Sequence, residues 1–372
     1  MNPKTLLQVT TLLATMLWAG LATAATPELL EAERSGLDGS VPASAPTPDP
    51  QARAAARGML PVSGLLLVPE STNDRVMAFD PDTGNLIDPD FIPADPDNLS
   101  TPIQVVRSSD GLSYLVSDQV DDVVQQYDLD GNYIGVFAPA GGVDVAILDN
   151  IRGIAIDPTN GHLLVSVGGG ANADAIAEFD TAGNSLGNRV ANGAGGLASP
   201  FDVLVDGALL QVPGISSDAV HTYQLDGTYI ADLAPIDTFP EQVFRSTSGN
   251  YLVANFSGVQ EGVVELDSSG GLVGVYDSAL LGGYRGAYEL PNGNILTTNG
   301  GGVHEIDRSG NLVETKIDGV SARFITFIGP DGPVVPPAAT PVPALGGPGL
   351  LFLVLIMLLA GVIAGRGLIR VR

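Results

Sequence analysis

The stretch QQYDLDGNYIGVF (Gln125–Phe137) decides the fold. At its centre, Asp128-Leu129-Asp130-Gly131-Asn132 has carboxylates at alternate positions, a glycine for a sharp turn and then an amide oxygen. That pattern suits a hard cation such as calcium. The same residues also suit a tight turn joining two antiparallel strands. One reading makes the chain a metal protein, the other a repeat protein.

Five other segments align on it: VMAFDPDTGNLI, AIAEFDTAGNSL, AVHTYQLDGTYI, GVVELDSSGGLV and GVHEIDRSGNLV. The shared glycines are Gly84, Gly131, Gly183, Gly227, Gly270 and Gly310, 40 to 52 residues apart. Such intervals are expected of propeller blades. The glycine persists in every copy and the carboxylates do not. Asp130 is matched by Ala182, Ser269 and Ser309, and Asp128 by Gln224. A calcium loop needs its oxygens, whereas a hairpin needs only the positive-φ glycine. The stretch therefore reads as a hairpin turn, with Asp128 and Asp130 the place where any metal reading survives.

Working outward, each turn is preceded by a strand ending at Phe79, Tyr127, Phe179, Tyr223, Leu266 or Ile306. Before that lies a second strand (GLLLV, SYLVS, HLLVS, ALLQV, NYLVA, NILTT), and earlier a third (PIQVV, IRGIAI, PFDVLV, PEQVF, YRGAYEL). SDG, TNG, DG, SG and NG separate these two as further hairpin signals. A last strand leaves each glycine, so every repeat has the four antiparallel strands of a propeller blade. The first repeat begins at GLLLV without a first strand, while ARFITFIGPDG (322–332) is a first strand without a repeat. Placing the second in the first completes six blades and leaves no edge. The expected fold is therefore all-β, a six-bladed β-propeller over 62–332 closed by the C-terminal strand.

Lys4, the apolar run Leu6–Leu21 and the small residues Ala22–Ala24 read as a cleaved secretory signal, 1–24. Residues 25–61 are rich in Pro and Ala and cannot bury a core. A Pro-rich spacer, 333–348, precedes LLFLVLIMLLAGVIAG (Leu350–Gly365) and Arg366, Arg370 and Arg372. The segment 349–372 is expected to be a transmembrane helix with a cytoplasmic basic tail. The propeller would then be periplasmic or at the cell surface, held at least transiently on a bacterial inner membrane.

The chain has 372 residues, with 42 Asp plus Glu against 16 Lys plus Arg, a net charge of −26 and no cysteine. Such a field repels nucleic acid. The absence of cysteine excludes disulfides and thiolate metal sites.

Strands alternate direction, so first-strand starts and second-strand ends share one face, opposite the LDGN turns. The first-strand starts bring Gln104, Arg152, Asp202, Glu241, Gln242, Arg285 and Arg323 to that face as candidate ligand-binding residues. The second-strand ends bring Glu70, Asp118, Asn255 and Asn299, whose oxygens suit calcium. His162, His221 and His304 fall on different faces or blades and form no shared zinc site. Gly168–Gly170 precedes a strand and is no phosphate loop.

PIQVVRSSDGLSYLVSDQVDDVVQQYDLDGNYIGVF resembles an NHL repeat, and residues 62–332 are similar to the six-bladed SMP-30/gluconolactonase group. That resemblance implies a divalent-metal-dependent lactonase-like hydrolase, with calcium as cofactor. The tail, Val342-Pro343-Ala344-Leu345 followed by Gly349, an apolar helix and a basic end, resembles IPTL-type sorting signals read by exosortases. That family carries Trp-Gly where this chain has Pro348-Gly349. It implies a sortase-type processing enzyme as partner. The residues themselves supply no convincing acid, base or nucleophile set. They favour a non-enzymatic module binding a protein or glycan, with catalytic residues unassigned; the hydrolase is the alternative.

Overall fold

The computed structural model describes residues 63–330. The expected leader 1–24, the segment 25–61, the spacer 333–348 and the helix 349–372 lie outside the described residues. Among the described residues no helix is long and apolar enough to cross a membrane.

Six four-stranded antiparallel sheets follow one another. The first holds β1 (Leu65–Glu70), β2 (Arg75–Phe79), β3 (Leu86–Ile92) and, as its innermost strand, β24 (Thr326–Ile328). The second is β4 (Pro102–Arg107), β5 (Ser113–Asp118), β6 (Val123–Asp128) and β7 (Tyr133–Ala138). The third is β8 (Ile151–Ile156), β9 (Leu163–Val167), β10 (Ala175–Phe179) and β11 (Ser185–Val190). The fourth is β12 (Leu204–Asp206), β13 (Leu209–Gly214), β14 (Ala219–Gln224) and β15 (Tyr229–Pro235). The fifth is β16 (Pro240–Arg245), β17 (Tyr251–Asn255), β18 (Gly262–Leu266) and β19 (Leu272–Tyr276). The sixth is β20 (Gly286–Glu289), β21 (Ile295–Asn299), β22 (Gly302–Ile306) and β23 (Leu312–Asp318). The fold is thus a six-bladed propeller, as the repeat predicts.

The second strands are buried along their length, as β5 (SYLVSD) and β21 (ILTTN) show, except for Leu209 at the start of β13. A neighbouring blade covers each face, so they read as apolar runs rather than alternations. The outermost strands, such as β7 and β11, are mostly exposed. Ring closure follows the expected pairing: Leu65 lies opposite Ile328, Leu66 opposite Phe327 and Leu67 opposite Thr326. A further bridge joins Glu70 and Ala322.

The opening stretch is a hairpin. Asp128 Oδ1 accepts the N–H groups of Asp130 and Asn132, each at 2.8 Å, and Asn132 Nδ2 donates to Asp128 Oδ2 at 2.9 Å. The turn thereby engages the oxygens a cation would use. Asp180 and Asp307 make the same turn. The side chains and N–H groups of Asn184 and Asn311 hold their carboxyls below the usual range.

The turn glycine has a second duty. Gly183 sits at φ +79°, and a Cβ there would lie 1.8 Å from Phe137 O of the preceding blade. At Gly227 the corresponding gap is 1.6 Å to Arg189 O. Positive φ and blade-to-blade contact both demand glycine.

Several first strands are shorter than their sequences suggest. PFDVLV is strand only from Leu204, YRGAYEL only from Gly286, and the closing strand only over Thr326–Ile328. Others bulge, β4 between Pro102 and Val105 and β8 between Ile151 and Ile154. The cause is crowding at the axis. A Cβ on Gly153 would stand 2.5 Å from Asp202 Cα, and the Gly153 N–H bonds Phe201 O of the next blade at 2.9 Å. There, backbone groups pair between blades instead of within them. Ile103, Phe201, Phe239 and Phe324 converge from four such strand starts into one apolar cluster.

Candidate functional site

The first-strand candidates divide by what their side chains touch. Gln104 Oε1 accepts the Ile154 N–H of the next blade at 2.6 Å. Asp202 Oδ2 accepts Val243 N–H at 3.1 Å and its Oδ1 accepts Val203 N–H at 2.8 Å. Gln242 Oε1 accepts both Ala287 and Ile325 N–H, while its Nε2 donates to Ile325 O at 2.9 Å. These three are stitches between blades, made necessary by the backbone groups that the bulged strands leave over. Burial pushes the Asp202 carboxyl up to about 7, against the two N–H bonds. Glu241 is wholly buried. Arg152, 1% exposed, reaches Ser199 Oγ at 2.9 Å and Pro200 O at 3.1 Å and lies 4.4 Å from the Phe201 ring centroid.

Arg285 and Arg323 are placed differently. Both line a cavity of about 680 Å³ on the face of the first-strand starts, a size ordinary for a small-molecule site. Its other walls come from the hairpins of blades one and two (Ser71, Thr72, Asp74, Gln119, Val120, Asp122). The linker residues Ser100, Thr101, Asp149 and Asn150, together with Gly168, Gly169, Gly300 and Ser321, complete it. Arg285 is 6% exposed. Its Nη1 donates to Ser321 Oγ at 2.7 Å, and it lies 5.7 Å from the Phe256 ring centroid. Its Nε is buried without a hydrogen-bond partner, and it pairs with no carboxylate among the described residues. Arg323 Nε donates to Ser71 Oγ at 3.2 Å.

The second-strand quartet occupies equivalent positions, but its oxygens are largely engaged. Glu70 Oε2 accepts the N–H groups of Thr72 and Asn73, and its Oε1 accepts from Asn73 Nδ2 and from Arg75 Nε, both at 2.7 Å. Asp118 accepts four backbone N–H groups, from Ser100, Thr101, Val120 and Asp121. Asn299 Oδ1 accepts from Gly301 and Gly302 and lies 3.1 Å from His304 Nε2. Asn255 donates to three carbonyls, and only its Oδ1 is buried without a partner. Hard cations need several free oxygens together, and this donor set does not suit a calcium ion. Among the described residues no group of three or more His, Asp or Glu is arranged around a common metal position.

Three aspartates outside the expected set, Asp74, Asp122 and Asp149, also line the cavity. Asp74 and Asp122 belong to a column with Asp174 and Asp218, each immediately before the strand that leads into the turn (β2, β6, β10 and β14) and each at positive φ, from 50° to 63°. Aspartate tolerates that conformation because its side chain can bond locally. Asp122 Oδ1 accepts Asn150 N–H, and Asp174 Oδ1 accepts Ser199 N–H, both at 2.6 Å. Asp218 accepts Thr238 N–H. Each ties its blade to the next. At the junction of blades one and two, Asp118 takes the Ser100 and Thr101 N–H groups instead. Asp74 Oδ1 is left buried without a partner. Burial, then the charges of Asp118, Glu70 and Asp121, push its carboxyl up to about 7. Burial, followed by Asp149, Asp118 and Asp121, pushes Asp122 up to about 6, against the Asn150 N–H. The four aspartates recur at the same place in the repeat, and only Asp74 lacks a partner from the next blade.

The histidines are engaged locally. His162 Nδ1 is 2.6 Å from Glu178 Oε1, and His221 Nε2 is 2.8 Å from Ser217 Oγ. His304 lies between Asn299 and Thr315.

No protein-family model matches this sequence, and no curated protein matches it. Solved structures do. A protein of unknown function from Bacteroides caccae is similar over 72% of this chain and 99% of its own, at 18% identity and a TM-score of 0.52. A chain of a nidogen–laminin complex is similar over 71% and 97%, at 15% identity and 0.58. A gluconolactonase of Xanthomonas campestris is similar over 63% and 85%, at 18% identity and 0.51. At these identities the likeness is one of fold, and this fold carries many activities.

Proposed function

We propose that this chain is an exported, membrane-held propeller that binds an acidic group of a protein or glycan partner in the cavity over its axial face. The observation that carries the reading is Arg285. Its guanidinium is buried, lines the cavity, and has one hydroxyl partner and no carboxylate partner among the described residues. A buried charge is costly unless paired, and guanidinium is suited to planar oxyanions. An acidic ligand would complete it. The export and anchoring half of the proposal rests on the leader and on the apolar, Arg-flanked tail.

The second reading is a hydrolase of the lactonase kind. It is favoured by the fold likeness to a gluconolactonase and by the unpartnered carboxylate of Asp74 in the cavity, rather than by the Glu70, Asp118, Asn255 and Asn299 quartet.

Thermal unfolding separates the two. Millimolar acetate, butyrate, hexanoate or succinate should raise the melting temperature by mass action. Arg285→Gln should weaken the best of them about tenfold. Calcium should give no shift. A calcium-induced rise that Glu70→Gln abolishes, or lactone turnover lost in Asp74→Asn, would replace the binding reading with the hydrolase.

A further inference from the structure

Two buried polar atoms on the wall of one cavity lack partners, and they have opposite electrostatic needs. Arg285 Nε is a donor without an acceptor, and Asp74 Oδ1 is an acceptor without a donor. They do not satisfy each other, yet a short chain of hydrogen bonds connects their supports. Arg285 Nη1 donates to Ser321 Oγ at 2.7 Å, the Ser321 N–H donates to Thr72 Oγ1 at 2.8 Å, and Asp74 follows Thr72 by two residues.

Among the four aspartates of the column, only Asp74 lacks a partner from the next blade. Its counterparts Asp122 and Asp174 are capped by a backbone N–H of the following blade. The N–H groups that would cap Asp74 are taken by Asp118. The backbone of Asp74 keeps the left-handed conformation of the column, φ 54°, so the hairpin keeps its shape while Asp74 lines the cavity with Oδ1 buried and unpartnered. Negative charge surrounds it, and a cation brought to Asp74 would relieve both that crowding and the missing hydrogen bond.

We propose that the cavity takes a ligand bearing both an anionic and a cationic group, the anionic group against Arg285 and an ammonium against Asp74. This rests on the acidic-ligand reading of the same cavity and adds its second half. The ligand class is an amino acid, an amino sugar acid or a side-chain pair of a partner that presents both charges close together. Neither a simple acid nor a simple amine satisfies both orphaned atoms.

The test adds an ammonium to the carboxylates already used. Glycine, 4-aminobutyrate and 6-aminohexanoate are titrated into the full chain beside acetate, butyrate and hexanoate, with thermal shift and calorimetry as readouts. One amino acid of the series should bind about tenfold or more tightly than its matched carboxylate, and the preferred length reports the spacing of the two charges. Asp74→Asn, which keeps a residue suited to positive φ, should erase that advantage, while the plain carboxylates bind at least as tightly because a negative charge has left the cavity wall. If carboxylates bind and no ammonium improves them, or if the advantage survives Asp74→Asn, the zwitterion proposal is overturned while the acidic-ligand reading stands. If neither series binds, both fall.

Discussion

Gly183 and Asp74 show how much a single residue's role depends on its neighbour in the next blade. At Gly183 the backbone is left-handed, and the preceding blade's Phe137 O occupies the space a side chain would need. Gly183→Ala should therefore cost at least about 2 kcal/mol, combining conformational strain with separation of two blades. Gly207 is the control. It has φ +62° with open space around it, so Gly207→Ala should cost only about 1 kcal/mol, the strain alone. Urea unfolding of both variants measures the difference, and equal losses would mean that the blade contact contributes nothing. Asp74 is the reverse case. It keeps the backbone of its column and has lost the partner, which turns a structural aspartate into a candidate ligand-binding one.

At the scale of elements, the first strands are the unusual ones. Their starts crowd the axis and cannot keep a full ladder, so side chains of the adjacent blade complete it. Gln242 serves blades five, six and one at once, accepting Ala287 and Ile325 N–H and donating to Ile325 O. Gln242→Leu should leave these buried groups unsatisfied and cost about 2–4 kcal/mol, more than the loss of a typical single hydrogen bond. Equilibrium denaturation checks this; a loss below about 1 kcal/mol would show that the backbone re-pairs without the side chain. The hairpins at the two ends of the blades divide in function for an equally physical reason. At the LDGN end, the turn's own side chain and backbone engage the carboxylate. At the other end the aspartates look across to the next blade, and a single exchange of partners frees one.

For the whole molecule, closure and the candidate site are coupled. The segment leading into the closing strand carries Arg323 as well as Ser321, which holds Arg285, so the cavity exists only when the ends of the propeller meet. Truncation after Gly319 should expose the β1 edge, cause aggregation and abolish carboxylate binding together. Light scattering and calorimetry would follow the two losses. A soluble, cooperatively unfolding truncation would show that the closing strand is dispensable.

Six blades, their order, the hairpin nature of Gln125–Phe137 and the pairing of the last strand with the first were all legible in the sequence. They follow from turn chemistry and from a repeat of 40 to 52 residues, which are local and recur along the chain. That first-strand starts and second-strand ends share one face was legible too, because strand direction alternates predictably. Which polar residues on that face are available was decided only by the tertiary structure. Glu70 and Asp118 are the right residue types for a cation, but the folded loops fill their oxygens with N–H groups. Gln104, Asp202 and Gln242 look like ligands from within their own repeats and become stitches once the next blade arrives. Asp74 looks like its three counterparts and alone among them loses its partner. A side chain's type is written in its own repeat, whereas the groups that satisfy it come from a neighbouring blade, and only the closed ring brings them together.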